Sequence, residues 1–264
     1  MLLVLLFPVL LWGCGPAGDT GVRLIAHRGG VVDAQHIENS LAGLQAAIDR
    51  GYWMVEVDVR PTKDGKPLAH HDANFRKFYR HTGKAADMTW EQIRQLRSTP
   101  GNARPLLFDE FAAACRGKIR LMLDVKGPPQ PEAYYHRIEK SLIENDLLKD
   151  AYIIGIPEAK RYFRGKARVS IQRSELQTAV ENNEDLAGDC FLFEHADKLD
   201  ADIIQLARGA RVPVVVSINT FHYAPNEHKR RARADIDRLR ALGVRLFQID
   251  SVYDPWLLDA PARP

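Results

Sequence analysis

Short apolar runs alternate with longer amphipathic stretches along most of this chain. The apolar runs cover 22–27, 54–59, 119–125, 151–156, 168–171, 190–193, 212–218 and 245–249. Between most of them, apolar residues recur at helical spacing, as in 40–50, 131–145, 174–182 and 234–242. The runs have strand length and the stretches between them have helix length. Strands alternating with helices predict a parallel sheet with helical crossovers. Eight such runs in 264 residues match an α/β fold of the (β/α)8 TIM-barrel type. A doubly wound open sheet competes with it. That fold would carry a glycine-rich phosphate turn after its first strand, and Ala26-His27-Arg28-Gly29-Gly30 is not that turn.

One segment breaks the rhythm. Residues 74–105 show no strong strand pattern and hold one short helix, N-capped by Thr89 and ending near Leu96. We read it as a small subdomain inserted after the second strand, on the functional side of a single barrel domain spanning 19–264. The first residues differ in another way. Residues 1–12 are apolar throughout, and Gly13-Cys14-Gly15 follows. Such a run is short of the ~20 residues that span a bilayer, and it fits the core of a secretory signal peptide. Leu11-Trp12-Gly13-Cys14 resembles a bacterial lipoprotein signal. No Lys or Arg precedes it, however, and Trp12 is bulky where a small residue is usual. Residues 1–18 are therefore expected to be a signal peptide of lipoprotein type, with membrane attachment through a lipidated Cys14. A plain cleaved signal is one alternative, and an uncleaved anchor or a wrong start site is the other. In all three cases the folded part is expected in the cell envelope, on the periplasmic side.

Composition narrows the partners. Hydrophobic content of 45% and charged content of 27% are ordinary for a globular protein. A formal charge of +3 gives no case for nucleic acid, which calls for a dense basic stripe. Lys229, Arg230, Arg231 and Arg233 read as the solvated face of a helix. Cys115 and Cys190 sit in apolar surroundings and read as free buried thiols.

The densest chemistry lies between Glu56 and Asp72. Along 54–59 the residues alternate, so Glu56 and Asp58 share one face of a strand while Val55, Val57 and Val59 share the other. Two carboxylates side by side on a buried strand repel each other and lose hydration, and a divalent cation would offset that cost. Asp64-Gly65 predicts a two-residue hairpin turn. Counting back from it places Asp58 opposite His71 and turns His70 to the other face. In 121–126, Asp124 and Lys126 share a face at a strand end. His27 and Arg28 end the first strand. Functional groups of parallel barrels gather at the C-terminal ends of strands, so three successive strand ends are expected to deliver these side chains to one mouth.

These residues closely resemble glycerophosphodiester phosphodiesterases. The resemblance runs from Ile25-Ala26-His27-Arg28-Gly29 through Glu38-Asn39-Ser40 and the 56–72 segment to Lys126. It implies a (β/α)8 barrel with an inserted subdomain and one divalent cation, Mg2+ or Ca2+. It also implies a small-molecule glycerophosphodiester substrate, cleaved to glycerol phosphate and an alcohol. By position in the motifs, Glu56, Asp58 and Asp124 would bind the metal, His27 and His71 would be the acid–base pair, and Arg28 and Lys126 would hold the phosphate. Three features depart from the family. Asp124 stands where glutamate is usual, 152–157 lacks the usual Ser-Phe, and Phe247-Gln248-Ile249-Asp250-Ser251 matches the usual ending loosely. Two other readings stay open. One is a lysophospholipase D or phospholipase-like enzyme, suggested by the possible anchor and by Trp90, Tyr253 and Trp256. The other is a non-catalytic envelope module that binds phosphodiesters.

Overall fold

The computed structural model describes residues 21–258. The expected signal peptide and Cys14 lie outside the described residues. Eight parallel strands form the barrel: β1 (Arg23–Ala26), β2 (Met54–Pro61), β3 (Arg120–Val125), β4 (Tyr152–Gly155), β5 (Arg168–Ile171), β6 (Cys190–His195), β7 (Val214–Ile218) and β8 (Leu246–Ile249). Each pairs with its neighbour in sequence, and β8 pairs with β1, which closes the cylinder. All eight lie within or across the runs that the apolar pattern marked. Helices follow the first seven strands, among them Leu41–Asp49, Phe108–Cys115 and Glu132–Glu144. After β8 the helix is reduced to a 3-10 turn, Ser251–Trp256.

Period-two alternation builds two apolar layers. Val55, Val57, Val59, Leu121, Leu123 and Val125 point outward and pack under the helices. Ile25, Met54, Met122, Tyr152, Phe191 and Val215 point inward and fill the barrel. Glu56 and Asp58 lie on the inward face of β2, above Met54, and each is 1% exposed. The plug explains why so much charge can sit in a barrel: the apolar layer closes one end, and the carboxylates face the other. Cys115 and Cys190 are buried and free, and burial pushes the Cys115 thiol up to about 12.

The hairpin after β2 departs from the expected register. Val59 pairs with Ala69, Arg60 with Leu68 and Pro61 with Pro67, and the His70 amide donates to Asp58 O at 2.9 Å. Asp58 is therefore opposite His70, not His71. The loop comprises Lys63, Asp64 and Gly65, with Gly65 at φ 68°. It is a three-residue turn with glycine in the left-handed position, which an Asp-Gly pair serves as well as a two-residue turn. A slip of one residue reverses the faces, but the strand ends at Ala69 and the chain bends. His70 then turns into the insertion and stacks on Phe75 at 4.5 Å. His71 comes to the mouth by that bend, not by cross-strand pairing.

The insertion holds a two-stranded sheet, Asn74–Phe75 with His81–Lys84, and a helix, Trp90–Ile93, that ends sooner than Leu96. Phe75, Ala85, Trp90 and Ile93 pack on Leu68 as a small separate core. The basic run at 229–233 lies on an exposed helix face, where Arg233 pairs with Asp237 at 3.0 Å. Among the described residues no helix is long and apolar enough to cross a membrane.

Candidate active site

The loop that leaves β1 shapes the site. His27 begins a 3-10 turn, and Arg28 adopts φ 55° inside it. Gly30, at φ 135°, lies so close to the following helix that a Cβ there would stand 2.2 Å from Gly43 O. The loop is thereby pressed down on the barrel end. Its far side supplies Asn39, whose amide bridges Asp58: Asn39 Nδ2 donates to Asp58 Oδ2 at 2.9 Å, and the Asp58 amide donates to Asn39 Oδ1 at 3.2 Å. The Arg28 amide donates to Glu56 Oε2 at 2.7 Å. The loop after the first strand thus holds both carboxylates of the second, Glu56 through a backbone amide and Asp58 through the Asn39 side chain.

Glu56, Asp58 and Asp124 converge, with one oxygen from each within 4.8 Å of the others. Register alone accounts for half of this, since Asp58 and Asp124 are direct partners across β2 and β3. Gly155 at the end of β4 makes room beside them, because a Cβ there would lie 2.9 Å from Asp124 Oδ1 and 2.2 Å from Val125 O. Lys126 contacts Asp124 and lies 3.3 Å from Asp58 Oδ1. Its ammonium donates to Asp124, while the contact with Asp58 is an ion pair without a hydrogen bond. Burial, then Asp58 and Asp124, hold the Glu56 carboxyl well above the usual carboxylate range. Burial also pushes Asp58 up, but Lys126, His71, Asn39 and His27 outweigh it and the net direction is down. Both imidazoles therefore lie within electrostatic reach of one buried carboxylate.

Each histidine is held by its own aspartate. His27 Nδ1 lies 2.6 Å from Asp250 Oδ1, and His71 Nδ1 lies 2.8 Å from Asp72 Oδ1. An ionised carboxylate only accepts, so each Nδ1 carries a proton and each Nε2 is left to take up or give one. Asp250 also accepts from Thr220 N and Oγ1, both at 2.7 Å, and from Asn219 Nδ2 at 3.3 Å. Burial opposes its charge, but His27 and Thr220 hold its carboxyl well below the usual range. His71 is anchored through its backbone, where Arg60 Nε donates to His71 O at 2.5 Å.

Arg28 extends over a second group. Its Nη1 donates to Glu38 Oε2 at 3.0 Å, and Lys77 of the insertion reaches the same oxygen at 2.6 Å. Burial works against the Arg28 charge, and Glu38, Asp58 and Asp250 more than restore it. Glu38, His71 and Asp72 also present ligand atoms within 4.8 Å of one another. A cavity of about 330 Å³ opens here, lined by His27, Arg28, Glu38, Lys77, Phe221 and Asp250 among others.

All seven residues singled out in the sequence lie at this mouth. The reading missed the partners that orient them: Glu38, Asn39, Arg60, Asp72, Asn219 and Asp250. Asp250 could have been found from barrel closure, since Ala26 pairs with Ile249 and the next residue on each strand then faces its counterpart. Of the aromatic residues that suggested a lipid substrate, Trp90 and Tyr253 are buried and Trp256 is half-buried. Trp90 belongs to the core of the insertion, Tyr253 is fully buried, and Trp256 stacks on Tyr253 at 5.3 Å.

The oxygen donors fit a hard divalent cation. Asp58 Oδ1 is buried without a hydrogen bond, as are Glu38 Oε1, Arg28 Nε and His222 Nε2. Buried polar atoms are rarely left so, and four at one mouth mark a place built for a charged ligand.

The chain matches the glycerophosphoryl diester phosphodiesterase family over residues 27–247. It is 36% identical over 115 residues to glycerophosphodiester phosphodiesterase 1 of Bos taurus, a stretch covering 40% of this chain and 34% of the relative. The chain thus spans about a third of the length of the curated relatives it matches first. Among solved structures, a glycerophosphoryl diester phosphodiesterase from Parabacteroides distasonis superposes with a TM-score of 0.69 at 21% identity, covering 92% of this chain and 90% of the other. A phosphodiesterase from Oleispira antarctica, solved with the product sn-glycerol-3-phosphate, superposes with a TM-score of 0.68 at 19% identity, covering 86% and 92%. At these identities the two structures establish the barrel fold.

Proposed function

The chain belongs to the glycerophosphoryl diester phosphodiesterase family, and from that premise we propose that it hydrolyses glycerophosphodiesters to glycerol phosphate and an alcohol. One observation carries the reading: three buried carboxylates converge, flanked by two imidazoles that each have an aspartate at Nδ1. Glu56, Asp58 and Asp124 would hold one divalent cation, which oxygen donors suit to Mg2+ or Ca2+, and which when bound supplies charge neutralisation to the phosphate and a lowered hydroxyl pKa.

The rest of the chemistry falls to the side chains. His27 Nε2 takes the proton of the nucleophile, either a water or a substrate hydroxyl whose cyclic phosphate a water then opens, and Asp250, held ionised by Thr220, stabilises the imidazolium that forms. His71 gives a proton to the leaving alkoxide, in the same orientation by virtue of Asp72. Arg28 and Lys126 bind phosphate oxygens and match charge that grows on them. Glu38 and Lys77 keep the Arg28 guanidinium in place.

The test is a panel of glycerophosphodiesters assayed after chelation, then with Mg2+ or Ca2+ restored. Release of glycerol phosphate that depends on the cation is expected. Silence across the panel would overturn the reading in favour of a binding module. A lipid-directed variant of the same chemistry has one observation behind it: Phe221 is 63% exposed on the lip of the cavity, with its ring 6.0 Å from His27. Faster turnover of a long-chain lysophospholipid than of glycerophosphocholine would favour it. The envelope location and the anchor at Cys14 go with this proposal, and the mass of the mature N-terminus tests them.

A further inference from the structure

At the end of the barrel opposite the histidines, a cavity of about 450 Å³ opens beside the N-terminal ends of β1, β4, β7 and β8. Arg23, Arg208 and Arg245 line it with the indole of Trp53, the phenol of Tyr152 and an apolar wall that includes Leu246. No aspartate or glutamate stands among the described residues that line it. Arg245 spends Nη1 on two backbone carbonyls, Arg240 O and Val244 O, both at 3.0 Å. Arg208 reaches Leu242 O at 3.3 Å and Gln205 Oε1 at 3.4 Å. Arg23 lies over the Trp53 ring, 5.4 Å from its centroid, and Arg120 lies 5.2 Å from the same centroid. The turns that enter β3 and β5 repeat a basic pattern, Arg116-Gly117-Lys118-Ile119-Arg120 and Arg164-Gly165-Lys166-Ala167-Arg168, but there Arg116, Arg120 and Lys166 pair with Asp146, Asp150 and Glu139.

Carbonyl groups and a ring position Arg23, Arg208 and Arg245 without neutralising them. Like charges gathered against an apolar wall repel, and an anion would relieve that. Three forked donors call for at least three acceptor oxygens, which a phosphate has and a carboxylate lacks. The volume is that of a small-molecule site. We propose that this cavity is a second ligand site, separate from the catalytic mouth, that binds a phosphate group between Arg23, Arg208 and Arg245 with its organic part against Trp53 and Tyr152. The phosphate can belong to a soluble phosphorylated molecule or to the headgroup of an anionic lipid.

Calorimetry with inorganic phosphate and with glycerol 3-phosphate tests the first source, with Trp53 fluorescence as a local report and Trp53→Phe as its blank. Flotation with phosphatidylglycerol against phosphatidylcholine vesicles tests the second. For a soluble ligand, the unaltered protein shows two sets of sites. The double variant Arg208→Ala with Arg245→Ala then loses one set, at least ~10-fold in affinity, while diester turnover is unchanged. For a headgroup, the phosphatidylglycerol preference is lost in the same variant. Arg23→Gln, checked by circular dichroism, gives the same answer should the double variant fail to fold. A variant that keeps both the isotherm and the vesicle preference of the unaltered protein overturns the proposal. So does a single set of sites that Arg28→Ala abolishes, in a protein without phosphatidylglycerol preference.

Discussion

The two ends of this barrel treat positive charge in opposite ways. At the C-terminal mouth, Arg28, Lys77 and Lys126 each lie against a buried carboxylate. At the N-terminal end, Arg208 and Arg245 are held by carbonyl oxygens and Arg23 by an indole face. The same strands serve both ends, because the inward face of β2 carries Met54 low and Glu56 and Asp58 high. The difference lies in what the loops add. Loops at the mouth return side chains to the strand ends and set carboxylates against Arg28, Lys77 and Lys126, so orientation is fixed before substrate arrives. At the other end the three arginines of the cavity make no ion pair among the described residues, while Arg116 and Arg120 nearby pair with Asp146 and Asp150.

The largest effect should come from the mouth. His27→Ala and His71→Ala are each expected to cut turnover by ~100-fold or more, the range for lost acid–base groups. Steady-state kinetics on whichever diester the panel identifies, with circular dichroism as a fold check, would test this. Near-normal rates in a folded variant would remove that histidine from the chemistry. The plug between the two ends comes next. Phe191 is fully buried inside the barrel, and Phe191→Ala should cost about 3–5 kcal/mol of stability. Denaturant titration measures the loss. Turnover per folded molecule should hold if the plug supports the site without taking part in it.

A smaller effect is expected one step from the chemistry. Asp250→Asn removes the charge behind His27 and allows the wrong tautomer, and turnover should fall by roughly 10- to 100-fold. A rate that stays normal, with a normal pH profile, would detach Asp250 from His27. The smallest effect is a pH dependence of stability. Burial, with help from His195 and His27, lowers the His222 pKa to about 4. The unfolded chain takes up a proton here near pH 6.5, while the folded chain stays neutral until about 4. This residue therefore subtracts stability as pH falls through that window. Urea midpoints at pH 7 and pH 4.5 should drop less for His222→Gln than for the unaltered protein. An equal drop would assign the acid sensitivity elsewhere.

Much of the fold was legible because period-two and helical spacing are local properties. All eight strands, and the face that Glu56 and Asp58 share, follow from alternation along the chain. The hairpin shows the limit of such reading. Asp64-Gly65 signals a turn but not its length, since glycine fits the left-handed position of either form. The pairing moved by one residue, and His71 still reached the site because the strand stops and bends.

What the sequence by itself determined was the set of chemical groups and the strand ends that carry them. Tertiary structure alone decided how they are held. His27 and Asp250 stand 223 residues apart in the chain and 2.6 Å apart in space, because closing a cylinder brings the last strand against the first. Burial, which sets the charge on Glu56 and the strength of every pair around it, is likewise a property of the closed barrel, since no local pattern measures how much water the rest of the chain excludes.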